Sequence, residues 1–297
     1  MYLCTLKRCS RTTRRTPPRW RILPPEIIHS IVKFLKNDKA TLRACSLAAR
    51  DFSRAALSFI GKHITVNYVP RITQCVQLLV ANSAFQHVRS LDLGVTSKTS
   101  NPEDYLDEQL TILDIFSQRR TLTRLWLSKV PFPSFESNQR EEIRGIVAVL
   151  GSTVNDLGLY ECRFLSHSDI VSFICAFPHC DSLYVRDCVI DNRESTENMF
   201  SGLSKHKLIL ETLGLTSTSP GRMDTSVFPI IDVSSLIEDA ALDVSKLSVL
   251  ICNVGSIKQA RSVATTTSAS PIQHLDLACT GPGGFQRTFE AVVFTLC

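Results

Sequence analysis

Ser166, His167, Ser168 and Asp169 stand in a row and supply the residue types of a nucleophile, a general base and its orienting acid. A catalytic triad is assembled across space, each member within hydrogen-bond reach of the next, and adjacent residues rarely achieve that. A serine just ahead of an acidic first turn reads instead as a helix cap. Eleven cysteines and seven histidines are the other reactive side chains. No C-x-x-C pair occurs, no Cys/His grouping has zinc-finger spacing, and no histidine has a metal-spaced mate. Most cysteines sit inside apolar segments, where Cys behaves as a small hydrophobe, and they are read as reduced thiols. The chain has no G-x-x-x-x-G-K-[ST] loop, no H-E-x-x-H and no G-x-S-x-G. Gly281-Pro282-Gly283-Gly284 is a turn signal without dinucleotide-binding spacing. The expectation is a protein that is not an enzyme, with no catalytic residue, no metal site and no cofactor.

The residues suited to gripping something are Arg124, Trp126, Tyr160, Tyr184 and Arg186, since Trp, Tyr and Arg are the types enriched at interface hot spots. What places them together is a recurring pattern, apolar-x-x-Leu-x-apolar. It occurs at Val88/Leu91/Leu93, Leu122/Leu125/Leu127, Val154/Leu157/Leu159, Cys180/Leu183/Val185, Leu210/Leu213/Leu215, Val244/Leu247/Val249 and Ile272/Leu275/Leu277. The central leucines recur every 26 to 34 residues. A strand at that period, with a helix between strands, marks stacked repeats that bury their faces on one another. Candidate helices cover 72–85, 108–119, 140–150 and 168–177, with weaker ones at 194–203 and 233–242. The array resembles the irregular leucine-rich repeats; Cys162, Cys188 and Cys279 fall late of the position where such repeats carry Asn or Cys.

Side chains alternate between the two faces of a strand. With each leucine pair toward the core, Ser90, Asp92, Gly94, Arg124, Trp126, Ser128, Asp156, Gly158, Tyr160, Ser182, Tyr184 and Arg186 share the opposite, concave face. Later strands put Thr212, Gly214, Thr216, Lys246, Ser248, His274 and Asp276 there. Two uses fit the three rings: packing under a loop such as 128–138, or holding a target. The stretch 217–225, with Pro220-Gly221, reads as a loop.

Upstream of the array, Pro24-Pro25-Glu26 suits a first helical turn. Ile27, Ile28, Ile31, Val32, Phe34 and Leu35 follow and make that helix apolar on two faces. Asn37 and Asp38 end it and offer a cap to a second helix carrying Leu42, Cys45, Ser46 and Leu47. Asp51 is positioned to cap a third, with Phe52, Ala55, Ala56 and Phe59 or Ile60 as its apolar positions and Gly61 as its stop. A strand is expected over 63–69.

The run Leu23-Pro24-Pro25-Glu26-Ile27-Ile28, with Ile31, Leu35, the segment Asp38-Lys39-x-Thr41-Leu42-Arg43-Ala44-Cys45-Ser46-Leu47 and Arg50, resembles the F-box, most closely that of many fungal proteins, including basidiomycete-like ones. The resemblance implies contact with Skp1 and recruitment into a cullin-RING ubiquitin ligase. It places the Skp1-binding positions on Leu23, Pro24, Ile28, Leu35, Leu42 and Leu47.

Charge bounds the other partners. Residues 1–21 hold seven basic residues and no acid; setting those aside from the 33 Lys and Arg leaves 26 against 28 acids. The body is close to neutral, which argues against nucleic acid. No apolar run approaches a membrane span, so no membrane contact is expected. The basic leader has three readings that stay open: a solvated tail, a nuclear-import segment, or a mitochondrial transit peptide interrupted by Pro17-Pro18. Residues 285–297 read as a helix with no strand after it, so a longer chain or a poorly folded end is expected.

The expected organisation is a disordered basic leader (1–21), an F-box (22–62) and a leucine-rich-repeat-like domain (63–297). The fold class is α+β or α/β, a three-helix module before a β–α solenoid of about seven parallel strands. The expected function is a substrate-recognition adaptor of a Skp1–cullin–F-box ubiquitin ligase in the cytoplasm or nucleus, with an unidentified protein as its target. A Skp1-binding scaffold acting without ubiquitin transfer is the alternative.

Overall fold

The computed structural model describes residues 23–48, 50–60, 62–66, 77, 87–94, 105–191, 198–203, 206–216, 242–254, 270–280 and 286–291. The basic leader, the expected helix 72–85, nearly all of 233–242, much of 194–203, the loop 217–225 and Gly281–Gly284 fall outside the described residues. Two units divide the chain, Met1–Ile60 and Gly61–Cys297.

In the first unit, α1 (Pro25–Phe34) opens with proline at its first position, where a missing N–H leaves no hydrogen bond unmade. The Pro24 carbonyl takes the first bonds, from the amides of Ile27 and Ile28 at 3.0 and 3.2 Å. Asp38 starts α2 (Lys39–Ala48): its Oδ1 accepts from the amides of Ala40 and Thr41, and its Oδ2 from the Thr41 hydroxyl at 2.6 Å. Asp51 does not cap α3 (Arg50–Ile60); it lies inside the first turn, where its charge favours the helix dipole. Ile28 and Val32, one turn apart on α1, meet Leu42 of α2 and Ala56 of α3 in a small core. Leu35, Cys45, Phe52, Ala55 and Phe59 pack half-buried around it.

The second unit is α/β. Eight parallel strands run in chain order through one sheet, and a ninth pairs antiparallel at its end. They are β1 (His63–Val66), β2 (Ser90–Gly94), β3 (Arg124–Ser128), β4 (Asp156–Tyr160), β6 (Ser182–Arg186), β8 (Thr212–Thr216), β9 (Val249–Val254), β10 (His274–Thr280) and β11 (Gln286–Ala291). Two short strands, β5 (Arg163–Phe164) and β7 (Val189–Ile190), form a second parallel ladder. Helices α4 (Leu106–Arg119), α5 (Ser137–Leu150) and α6 (His167–Cys175) precede β3, β4 and β6. A reciprocal box between Glu136 and Gln139 starts α5.

Register follows from burial. Leu91, Leu125, Leu157, Leu183, Leu213 and Leu250 lie side by side across the sheet, all inaccessible to solvent. A repeated backbone hook locks it. The carbonyls of Lys62, Arg89, Thr123, Asn155, Asp181, Glu211 and Ser248 each accept from two consecutive amides of the next repeat. Every strand therefore begins at the same depth, and a one-residue slip would turn the leucines to solvent.

That hook corrects the sixth motif. Val244/Leu247/Val249 is not the strand; Leu247 occupies the slot before it, and Leu250 and Cys252 are its inward pair. Val249 and Ile251 take the face positions expected for Lys246 and Ser248, and Ser248 serves as the hook. The expected C-terminal helix is also corrected. Residues 286–291 are β11, paired from Leu275↔Ala291 to Thr280↔Gln286. A hairpin partner covers the amides and carbonyls of β10 that a helix would leave open.

Lys129, Glu161 and Asp187, the residues after β3, β4 and β6, all have left-handed backbones, with φ of 58°, 49° and 50°. Their amides donate to the carbonyls of Tyr160, Arg186 and Thr216 in the neighbouring repeat. This shared bend brings Cys162 and Cys188 to one equivalent position, three residues past the second inward residue of β4 and β6, so neither falls late. Their thiols donate to the carbonyls of Leu127 and Leu159, each at 3.5 Å. Beyond the bend lies an aromatic core. Phe173 sits among Phe132, Phe164, Phe177 and Phe200, with ring centroids 5.3, 6.0, 5.4 and 5.0 Å away. All five rings are sealed from water.

Candidate functional site

Three rings meet on the sheet face opposite the leucines. Trp126 of β3 stacks on Tyr160 of β4, centroids 5.3 Å apart and planes 25° apart. It also touches Tyr184 of β6, 5.5 Å away. Trp126 and Tyr184 are separated by Gly158, which is in register with both. A side chain at 158 would strike the Trp126 ring, and one at Gly214 the Tyr184 ring. Each ring therefore lies flat over the glycine of the next strand, an arrangement that only a missing Cβ permits.

Charged groups frame the rings. The Arg124 guanidinium lies 4.1 Å from the Trp126 ring centroid, and that of Arg186 lies 5.4 Å from Tyr160. Asp156 ties the cluster together, accepting from Trp126 Nε1 at 2.9 Å and pairing with Arg124 Nε at 3.5 Å. The latter distance makes an ion pair and is too long for a good hydrogen bond. Burial pushes the Tyr184 hydroxyl above its ordinary pKa, and the negative Asp156 adds to the rise. All five sequence-identified residues of this face, Arg124, Trp126, Tyr160, Tyr184 and Arg186, thus join one patch and stay partly exposed. The segment after β3 does not roof them. Phe132 and Phe135 carry it into the core instead.

A polar group at the first two strands was not foreseen. His63 Nδ1 is 2.7 Å from Ser90 Oγ, and its Nε2 is 2.9 Å from Thr65 Oγ1 and 3.3 Å from Asp92 Oδ2. These are the residue types of a triad, and they share the face of Trp126, since Ser90 pairs with Arg124 and Asp92 with Trp126. Extending the strand register back to β1 would have found them. The Ser90 amide, the usual oxyanion donor beside a serine nucleophile, is spent on the Lys62 carbonyl. Ser166 does cap α6, accepting from the Asp169 amide at 3.2 Å. Asp169 is sealed from solvent; burial raises its pKa, against bonds from backbone amides that include Met199.

On the helical unit the Skp1-assigned residues separate. Leu23, Pro24 and Leu47 are exposed, and Leu35 is half-buried. Ile28 and Leu42 belong to the unit's own core, which corrects their assignment to a contact surface: their helix phase points them at each other's elements. Ile27, Ile31 and Phe34 take the outward phase on α1 and are exposed, Phe34 at 90% and Leu47 at 88%. Ile27, Ile31 and Phe34 follow one another at spacings of four and three, one stripe of the α1 surface, and Leu23 is exposed two residues ahead of the helix.

Among the described residues no three His, Cys, Asp or Glu side chains are grouped to hold a metal. Among them, too, no helix is long and apolar enough to cross a membrane. Comparison with protein-family models, with curated proteins and with solved structures returns no match.

Proposed function

We infer that the protein is an adaptor: its helical unit acts as an F-box that docks on Skp1, and its sheet face holds a protein destined for a cullin-RING ligase. The repeats are then read as an irregular leucine-rich solenoid, a reading supported by parallel strands in chain order with a common hook and a common bend. One observation carries the docking half. Among the described residues, the α1 stripe Ile27–Ile31–Phe34, with Leu23 and Leu47, leaves five large apolar side chains exposed on a unit that buries four apolar residues in its core. Phe34 and Leu47 would each contribute about 1.5–3 kcal/mol if a partner buried them fully, and the three half-exposed residues less. Soluble proteins rarely leave such a patch uncovered.

The test is recovery of Skp1 by the full chain and by Leu23→Asp, Ile31→Asp and Phe34→Asp. Ile28 is left unchanged in these variants, because a charge there would break the unit's own core. A loss of about tenfold or more for each variant is expected. Equal recovery by all four proteins, at unchanged melting temperature, overturns the docking reading. Proteasome and cullin inhibition then asks about the fate of whatever the sheet face holds. Levels that rise on inhibition support ubiquitin transfer, and unchanged levels of every bound protein refute it.

A further inference from the structure

We propose that the sheet face recognises an acidic peptide segment, its carboxylates held by the outward forks of Arg124 and Arg186 and an apolar side chain laid on the rings between them. This deepens the target-binding half of the adaptor reading and rests on it.

The argument is an account of unspent hydrogen bonds. Both guanidinium groups lie against rings, Arg124 over Trp126 and Arg186 over Tyr160. The closest contact in each ion pair is through Nε, Arg124 with Asp156 at 3.5 Å and Arg186 with Asp187 at 3.4 Å. Among the described residues the terminal nitrogens of both have no acceptor. The acids around them are already engaged. Asp156 accepts from Trp126, Glu161 pairs with Lys129, Asp181 accepts from the Ser182 hydroxyl, and Asp92 faces His63. In both pairs the arginine is the more exposed partner: the Arg124 side chain is 38% exposed against 27% for Asp156, and Arg186 is 42% against 8% for Asp187. Free planar forks match carboxylates bidentately.

Spacing narrows the ligand. Steps of 4.1, 5.3 and 5.4 Å link the two forks through the rings. They are therefore no more than about 15 Å apart, the reach of about four extended residues. Two acids four residues apart, with an apolar residue midway, satisfy both forks and cover the Trp126–Tyr160 stack.

The test uses the full chain and a fluorescent twelve-residue probe in a Gly/Ser background, with two glutamates four residues apart and phenylalanine midway. Anisotropy should show binding that weakens with added salt. Replacing both glutamates by glutamine should weaken it about tenfold or more, and Arg124→Gln or Arg186→Gln about tenfold each. Arg186→Lys, which keeps the charge and loses the fork, should recover only part. Arg144→Gln on α5, an equal change of net charge off the face, should leave binding unchanged. Equal affinity for the glutamate and glutamine probes, equal affinity of wild type and both Arg→Gln variants, or no binding of the glutamate probe at millimolar concentration overturns the proposal. Skp1 recovery from the same preparations separates the two ideas: Skp1 held without acid preference sinks only this inference, and acid preference without Skp1 sinks only the docking reading.

Discussion

Replacing Gly158 by alanine should destabilise the sheet, although alanine is the better residue for an ordinary strand. The added Cβ would lie 2.7, 2.8 and 3.0 Å from Trp126 Cδ2, Cγ and Cδ1. Carbon atoms rest at about 3.5–4.0 Å, so the indole must retreat by roughly 1 Å. Three contacts then loosen together. The stack on Tyr160 is worth about 0.5–1.5 kcal/mol. The Nε1 bond to Asp156 is worth about 1.5–3 kcal/mol for a charged acceptor in full, and part of it survives a small shift. The Arg124 stack adds about 0.5–1 kcal/mol at a partly exposed site. Against this, removing a strand glycine returns about 0.5–1 kcal/mol. The net expectation is a loss of about 1–2 kcal/mol, together with a weaker near-ultraviolet circular dichroism signal from the ring cluster. Gly145→Ala is the matched control. It lies in the exposed middle of α5 with nothing within 4 Å of the added atom. It should gain about 0.5–1 kcal/mol from helix propensity alone. Urea unfolding of wild type and both variants decides the matter. If Gly158→Ala matches Gly145→Ala in sign and leaves the aromatic signal intact, the rings do not lie on the glycine, and the platform described for this face is wrong.

Phe173→Ala, at the centre of the aromatic core, should cost about 3–5 kcal/mol by chemical denaturation; a loss below about 1 kcal/mol would mean the rings do not close around it. Burial pushes the Cys180 thiol up to about 12 and Cys188 well above the ordinary range, Cys188 also through its bond with the Cys162 thiol. At pH 8 these thiols should therefore resist iodoacetamide in the folded protein while half-buried Cys45 reacts, as read by mass spectrometry of peptides. Equal labelling of Cys188 and Cys45 contradicts the packing. Bonds from the Ser245 hydroxyl and amide, then from Lys207, hold the Asp243 carboxyl at about 2. A carboxyl held below its unfolded value stabilises the fold above about pH 4, and the contribution disappears as pH falls toward 2. Asp243→Asn should flatten that limb of the acid denaturation curve, and an unchanged limb refutes the assignment.

The neutral charge balance of the body, the helix starts at Pro25 and Asp38 and six of the seven strand positions are local matters. Alternation, capping chemistry and proline geometry act over a few residues, and those residues are adjacent in the sequence. The face carrying Trp126, Tyr160 and Tyr184 was legible for the same reason, because a period of two assigns every side chain of a strand to one side or the other. The register of β9 was not legible. Val244, Leu247 and Leu250 repeat at intervals of three, so the apolar pattern fits two frames, and only the Glu211 and Ser248 hooks choose between them.

Other outcomes needed the whole fold. Five apolar residues on α1, with Leu35 at its end, announce two greasy faces. Which face is spent internally depends on where α2 and α3 lie, and Leu42 and Ala56 claim the side bearing Ile28 and Val32. Residues 286–291 suit a helix or a strand about equally, and the open edge of β10 decides for the strand. His63 meets Ser90 and Asp92 only because parallel pairing aligns segments far apart in the chain. Pattern within a segment is thus written in the residues themselves, whereas the identity of each segment's neighbour is settled by burial and hydrogen-bond closure across the completed sheet.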